Sequence, residues 1–203
     1  VLALPLFAWV LSFAKKKRLN QTRFYNFINE NLPGLLLAAF FFFIYLIFAS
    51  IFNQPAFDVD DIFFDSDGLL WRTRFTTMDY RDYYWRSVHP FVLLVIRPLV
   101  ALISFFLKGD RLAGAFVLAA FAGAFCVFLA WYFVKHTVGN PLYALLMASL
   151  LGASAAHLVF GSLIETYIFL AAVTMAFLVF LLKDKPLFVL IITGALSFGI
   201  TIT

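Results

Sequence analysis

Cysteine, charge and acid are the scarce features of this 203-residue chain. Its one cysteine, Cys126, excludes an intrachain disulfide framework. Lying inside an apolar run, it reads as a small buried side chain. Charged residues make up 13%, against about 25% in soluble globular chains. Hydrophobic residues make up 64%, and mean hydropathy is +0.97. A soluble domain is not expected from that balance. The net charge of +4 is modest, and the basic residues flank apolar runs. They report topology rather than nucleic-acid binding. No repeat of solenoid period occurs.

A spanning helix needs about 20 apolar residues to cross roughly 30 Å of hydrocarbon. Residues 34–52 meet that length, with Pro33 placed where a first helical turn tolerates it. Spans are also expected over 112–134, 142–164, 167–182 and 187–203. The expected fold is all-α, a polytopic transmembrane bundle forming one domain over 1–203. The chain opens on Val1 and closes inside an apolar run, so it is expected to be the N-terminal part of a longer protein. Lys15 to Arg18 and Arg23 mark the cytoplasmic side, which sends 34–52 outward and leaves the loop 54–90 extracytoplasmic. An integral protein of a bacterial inner membrane, or its equivalent, is the expected setting.

Residues 91–107 are the ambiguous stretch. Arg97-Pro98 divides them into apolar runs too short to span. A mid-membrane arginine costs at least about 2.5 kcal/mol on insertion scales. The segment is therefore expected to be interfacial or re-entrant, which puts Glu165 on the same outer face as the loop. Small residues recur every fourth position at Ala115, Ala119 and Gly123, and again at Ala144, Ala148, Gly152 and Ala156. Such lines let helix backbones approach closely.

The scarce acid is concentrated. Seven of the eleven carboxylates lie between Asp58 and Asp82, and the stretch 58–90 also holds four arginines, a histidine, three tyrosines and two tryptophans. Trp71, Phe75 and Met78 fall on one helical face. Asp65 and Ser66 are good N-cap residues ahead of it. The pattern predicts an amphipathic helix on the outer leaflet. A calcium loop is excluded because Phe63 stands where the first aspartate belongs. The pairs Asp58/Asp60 and Asp65/Asp67 match the Asp-x-Asp of soluble nucleotide-sugar transferases, but no α/β nucleotide domain accompanies them.

An outward helix, an acidic outer loop with "FDSDGLLWRTRF" (64–75), "HPFVLL" (89–94) and "GSLIETYIF" (161–169) together resemble the membrane-embedded GT-C glycosyltransferases. These include protein O-mannosyltransferases and bacterial lipid-linked sugar transferases. The resemblance covers the layout of roughly 34–182. The family often carries Asp-Glu and His-Pro-Pro where this chain has Asp-Ser-Asp and His-Pro-Phe, so Asp65 and Asp67 both stay candidates. The resemblance implies sugar transfer from a polyprenyl-phosphate donor to a lipid, glycan or protein acceptor outside the membrane. It also implies a carboxylate base, Asp65 or Asp67. Arg72, Arg86, His89 and Arg97 are candidates to hold the donor phosphate, with Glu165 and Tyr167 in support. The resemblance fixes no cofactor; a divalent metal, should one take part, would fall to Asp65 and Asp67.

A carboxylate between apolar helices, as Glu165 is, is a functional-site candidate by default. His157 is expected instead to be a core histidine on a backbone carbonyl. Two other classes compete. A non-catalytic subunit would use the loop to bind a partner within a larger complex. A transporter would place its ionisable groups near mid-membrane, where only Arg97 and His157 are candidates.

Overall fold

The computed structural model describes residues 22–54, 68–77, 89 and 91–200. The described residues form helices and no strand. In order they are α1 (Arg23–Phe52), α2 (Gly68–Thr76), a π-helical stretch (Val92–Ile96) running into α3 (Arg97–Phe106), and α4 (Arg111–Val138). Then come α5 (Pro141–Ala153), α6 (Ala155–Phe160), α7 (Tyr167–Leu182) and α8 (Leu187–Ile200). Among the described residues, α1 and α4 are long and apolar enough to cross a membrane. The other apolar helical segments hold 10–17 residues each.

Local chemistry sets the boundaries. Thr22 caps α1, its side chain accepting from Tyr25 N at 3.2 Å. The helix therefore begins eleven residues before Gly34, and Pro33 sits in its interior rather than its first turn. The hydrophobic run marked only the apolar part of a longer helix. Asp110 caps α4 by accepting from Ala113 N, and Gly139 ends that helix at φ 74°. Asn140 then accepts from Leu142 N and Tyr143 N, and Pro141 opens α5. A left-handed glycine, an asparagine cap and a first-turn proline reverse the chain in three residues.

Two expectations change in the structure. The chain stays helical through Arg97-Pro98, where a division was expected. The π stretch ends with Arg97 N donating to Val92 O, five residues back. That wider turn absorbs the amide that Pro98 lacks. Conversely, the span expected over 142–164 is broken at Ser154, which takes an extended conformation (φ −62°, ψ 142°). Serine is a good cap, and Ser154 Oγ accepts from His157 N at 3.3 Å to start α6.

The ends of the bundle are marked by polar bonds. At one end Lys135 Nζ donates to Glu30 O at 2.8 Å, and Lys183 lies over the Tyr132 ring. At the other, Asn53 Nδ2 donates to Ser162 O at 2.9 Å, tying the end of α1 to the turn before α7. Consequently α1 and α4 run antiparallel. The turn 107–110 sends α4 back past α3, with Gly114 held against Val100 and Ser104.

The small-residue lines are sockets for rings. Tyr45 is fully buried, its ring packed against Gly123 and Gly161. Its hydroxyl donates to Gly152 O at 2.9 Å. Phe41 stacks on Tyr45 and fills the space over Gly152. His157 packs edge-on to Tyr45, and its Nε2 lies 3.1 Å from Gly123 O, the carbonyl contact expected of a core histidine.

A Cβ at Gly123 would lie 2.9 Å from the Tyr45 ring and 3.2 Å from Gly161 Cα. Gly123→Ala should destabilise the protein by about 1–3 kcal/mol, the usual cost of overpacking. Gly194→Ala meets its nearest atom at 4.0 Å and should be tolerated. Unfolding of both variants in detergent measures the difference.

Candidate functional site

The residues singled out in the sequence meet around α2. Trp71 and Phe75, at i and i+4, are 3% and 1% exposed. Phe75 packs edge-on to Phe169 of α7, and Trp71 packs on the His89 ring at 5.3 Å. Both belong to one apolar cluster with Val92, Ala119, Ile164 and Ile200. A helix is therefore present at the expected place, Gly68–Thr76, and the protein itself covers its Trp71 and Phe75 side. A helical apolar stripe carries the same signature whether lipid or protein meets it. Met78, expected on that face, lies outside the described residues.

The polar face of α2 reaches the helix ends around it. Arg72 Nη1 donates to Asn53 O at 3.0 Å, and Arg74 stands over the Trp71 ring at 5.0 Å. The carbonyl of Thr77, just past the helix, accepts from Arg97 Nη2 at 2.6 Å and Arg111 Nη1 at 2.9 Å. Guanidiniums from α2, α3 and α4 thus converge on the two ends of one short segment. Arg72, Arg97 and Arg111 are each oriented by a bond to a backbone carbonyl. His89 Nδ1 lies 2.7 Å from Ile200 O, which leaves Nε2 as the nitrogen able to serve a ligand.

Glu165 sits in the irregular turn 161–166 and is 1% exposed. Its Oε2 accepts from the backbone N–H and the hydroxyl of Thr166. Asn53 joins this turn to the arginines, because its carbonyl holds Arg72 while its amide holds Ser162 O. Ser162 Oγ is buried with no hydrogen-bond partner among the described residues. Tyr167 packs on Phe160 at 5.1 Å and borders a cavity deeper in the bundle, away from the arginines.

Of the residues expected to carry chemistry, Arg72, His89, Arg97 and Glu165 are therefore brought to one end of the bundle. Asp65, Asp67 and Arg86 lie outside the described residues, as do Asp58, Asp79 and Asp82. Among the described residues, no group of three or more histidines, cysteines and acids could hold a metal. Asn53 and Arg111 complete the site and were not singled out in the sequence. Each stands at a helix end, where a polar residue looks like ordinary capping.

No family model matches the chain, and neither a curated protein nor a solved structure does. The function has to be argued from the residues.

Asn53→Ala would remove the donor to Ser162 O and to Ala49 O. A buried acceptor left unmet costs about 1–3 kcal/mol. Thermal unfolding should show a loss of that order, with a larger loss of protection in the turn 161–166 by hydrogen exchange than in α8.

Proposed function

We propose that this chain is part of a membrane-embedded glycosyltransferase. It would move a sugar from a polyprenyl-phosphate donor to a lipid, glycan or protein acceptor on the extracytoplasmic face. The observation that carries this reading is the convergence of Arg72, Arg97 and Arg111 with His89 around α2, beside the buried Glu165 turn, at one end of an apolar helix bundle. A phosphate on a lipid needs cations at headgroup depth with apolar surface beneath them, and this arrangement offers both. The basic run Lys15 to Arg18 ahead of α1 supports an outward arginine-rich end by the positive-inside rule.

Because the donor is a lipid, no nucleotide-binding fold is needed. The acceptor hydroxyl attacks the anomeric carbon as the bond to phosphate breaks, and the phosphate leaves with the bonding pair. The proton passes to a carboxylate, Asp65 or Asp67, placed just before the first residue of α2. The arginines stabilise charge on the departing phosphate. Arg86 and His89 are the proposed holders of the donor phosphate, and Glu165 has a supporting role. If a divalent metal takes part, Asp65 and Asp67 are its ligands.

Asp65→Asn or Asp67→Asn keeps size and removes basicity, so one of the two should cut transfer by at least about 10²-fold with folding intact. Replacing Arg86 and His89 together with Gln should weaken donor binding by roughly tenfold or more, from loss of charge-assisted bonds. A purified assay with a polyprenyl-phosphate sugar reads both. Full transfer in both Asn variants would replace this reading with that of a non-catalytic membrane subunit.

Topology supplies an independent test. Gln54 and Lys108 are exposed at the arginine-bearing end, and Asp184 is exposed at the other. In sealed vesicles, cysteines at 54 and 108 should react with an impermeant maleimide from the same side, and a cysteine at 184 only from the opposite side. Labelling of 108 together with 184 would remove Arg97 from the outer face and overturn the donor site.

A further inference from the structure

Between them α1 and α4 leave a groove of about 490 Å³. Phe27, Leu35 and Phe42 of α1 line it with Phe121, Phe125 and Phe128 of α4, and alanines complete an apolar wall. Phe27 is 43% exposed and Phe121 57%, so the groove opens on the flank of the bundle.

One end of this groove meets charge. Phe121, Phe125, Phe128, Tyr132 and Lys135 follow at alternating four- and three-residue steps, along one face of α4. Past Phe128 that face changes from phenylalanine to tyrosine and lysine. Tyr132 packs on Phe128 at 6.0 Å, and Lys183, just past α7, stands over the Tyr132 ring at 5.2 Å. Lys135 Nζ stands over the neighbouring Trp131 ring at 4.7 Å and donates to Glu30 O at 2.8 Å. An ammonium has three donors, and that bond uses one. Neither lysine is paired with a carboxylate among the described residues. Among those residues, Arg23, Lys135, Lys183 and Lys185 outnumber the acids Glu30 and Asp184 at this end.

We propose that the groove holds an acyl chain of an anionic phospholipid, whose phosphate is met by Lys135 and Lys183. The lipid belongs to the leaflet opposite the arginine-bearing end. Length fits one leaflet. The helical rise from Lys135 to Phe121 is about 21 Å, and half a bilayer with its headgroups is about 20–22 Å. The groove stops at Phe42 and Phe121, whereas α1 continues to Phe52 and α4 begins at Arg111. A partner helix crossing the membrane would need the whole length, and one lipid tail does not. Lysines at headgroup depth attract a negatively charged lipid, and the tail beneath needs only apolar wall. The site lies away from the arginines and does not depend on the transferase reading.

The full chain in detergent is titrated with phosphatidylglycerol, and native mass spectrometry counts the lipid that stays bound. One phosphatidylglycerol per chain should be retained. Phosphatidylcholine, with the same phosphate but no net charge, should not be retained. Glycerol 3-phosphate, a headgroup without tails, should not displace the lipid. Lys135→Gln with Lys183→Gln removes two charges, each worth about fivefold at a membrane surface, so affinity should fall roughly 30-fold. Lys135→Arg with Lys183→Arg keeps the charge and should keep the lipid. Ala39→Trp fills the groove, leaves both lysines and should weaken retention by roughly tenfold. The proposal is overturned if phosphatidylcholine is held as tightly or if glycerol 3-phosphate displaces the lipid. It is also overturned if the Gln pair or Ala39→Trp, melting like the wild type, holds phosphatidylglycerol as tightly. A dimer that Ala39→Trp splits, with no lipid retained, would assign the groove to a second copy and overturn it too. Should the Gln pair fail to fold, Ala39→Trp alone decides.

Discussion

A buried carbonyl released by a break in a helix has to find another donor, and here Tyr45 supplies it. The chain leaves the helical path at Ser154, and the Tyr45 hydroxyl donates to Gly152 O at 2.9 Å just before the break. Without that bond the interruption would leave an unmet polar group among rings and methyl groups, at a cost of about 1–3 kcal/mol. Much follows from the break. It lets α6 be a short, separately capped helix, and its His157 reaches Gly123 O on α4. It also lets the chain reach the irregular turn 161–166, which carries Ser162 and Glu165 to the end of α1. One side chain on α1 thus fixes where three later segments can go.

The second organising element is α2, nine residues long and unable to stand alone. Its Trp71 and Phe75 are held by apolar packing, which is non-directional. The register comes from its polar atoms. Arg72 is fixed on Asn53 O, and Thr77 O accepts from both Arg97 and Arg111. Apolar burial and arginine–carbonyl bonds therefore act on opposite faces of one short helix. The outcome is three arginines gathered at one end of a bundle whose flanks are apolar, the feature from which a phosphate-bearing lipid was argued as ligand.

Two apolar clusters divide the interior along the length of α4. One joins its first half to α2, α3, α7 and Ile200, and the other joins its second half to α1 and α5. Tyr45, Gly123 and His157 lie near the boundary between them. The cavity lined by Cys126 and Met175 opens at the same level, beside the interruption at Ser154.

By itself the sequence determined an all-helical chain, the positions of its apolar segments and the close-packing role of its small-residue lines. These are local properties: apolar run length, capping residues and four-residue spacing are each written within one helix. It also marked Arg72, His89, Arg97 and Glu165 among its candidate site residues. Their gathering at one end could not be read from spacing, because it depends on which helix ends meet. The tertiary structure decided that α2 turns its apolar face to the protein, since an amphipathic stripe does not name its partner. It decided that Pro98 widens a helix instead of ending it, because the turn before it could absorb the missing amide. It decided, too, that Ser154 breaks a span, because Tyr45, more than a hundred residues earlier, stands ready to bond the carbonyl beside the break. Local chemistry chose the elements, and long-range hydrogen bonds chose how they were interrupted and joined.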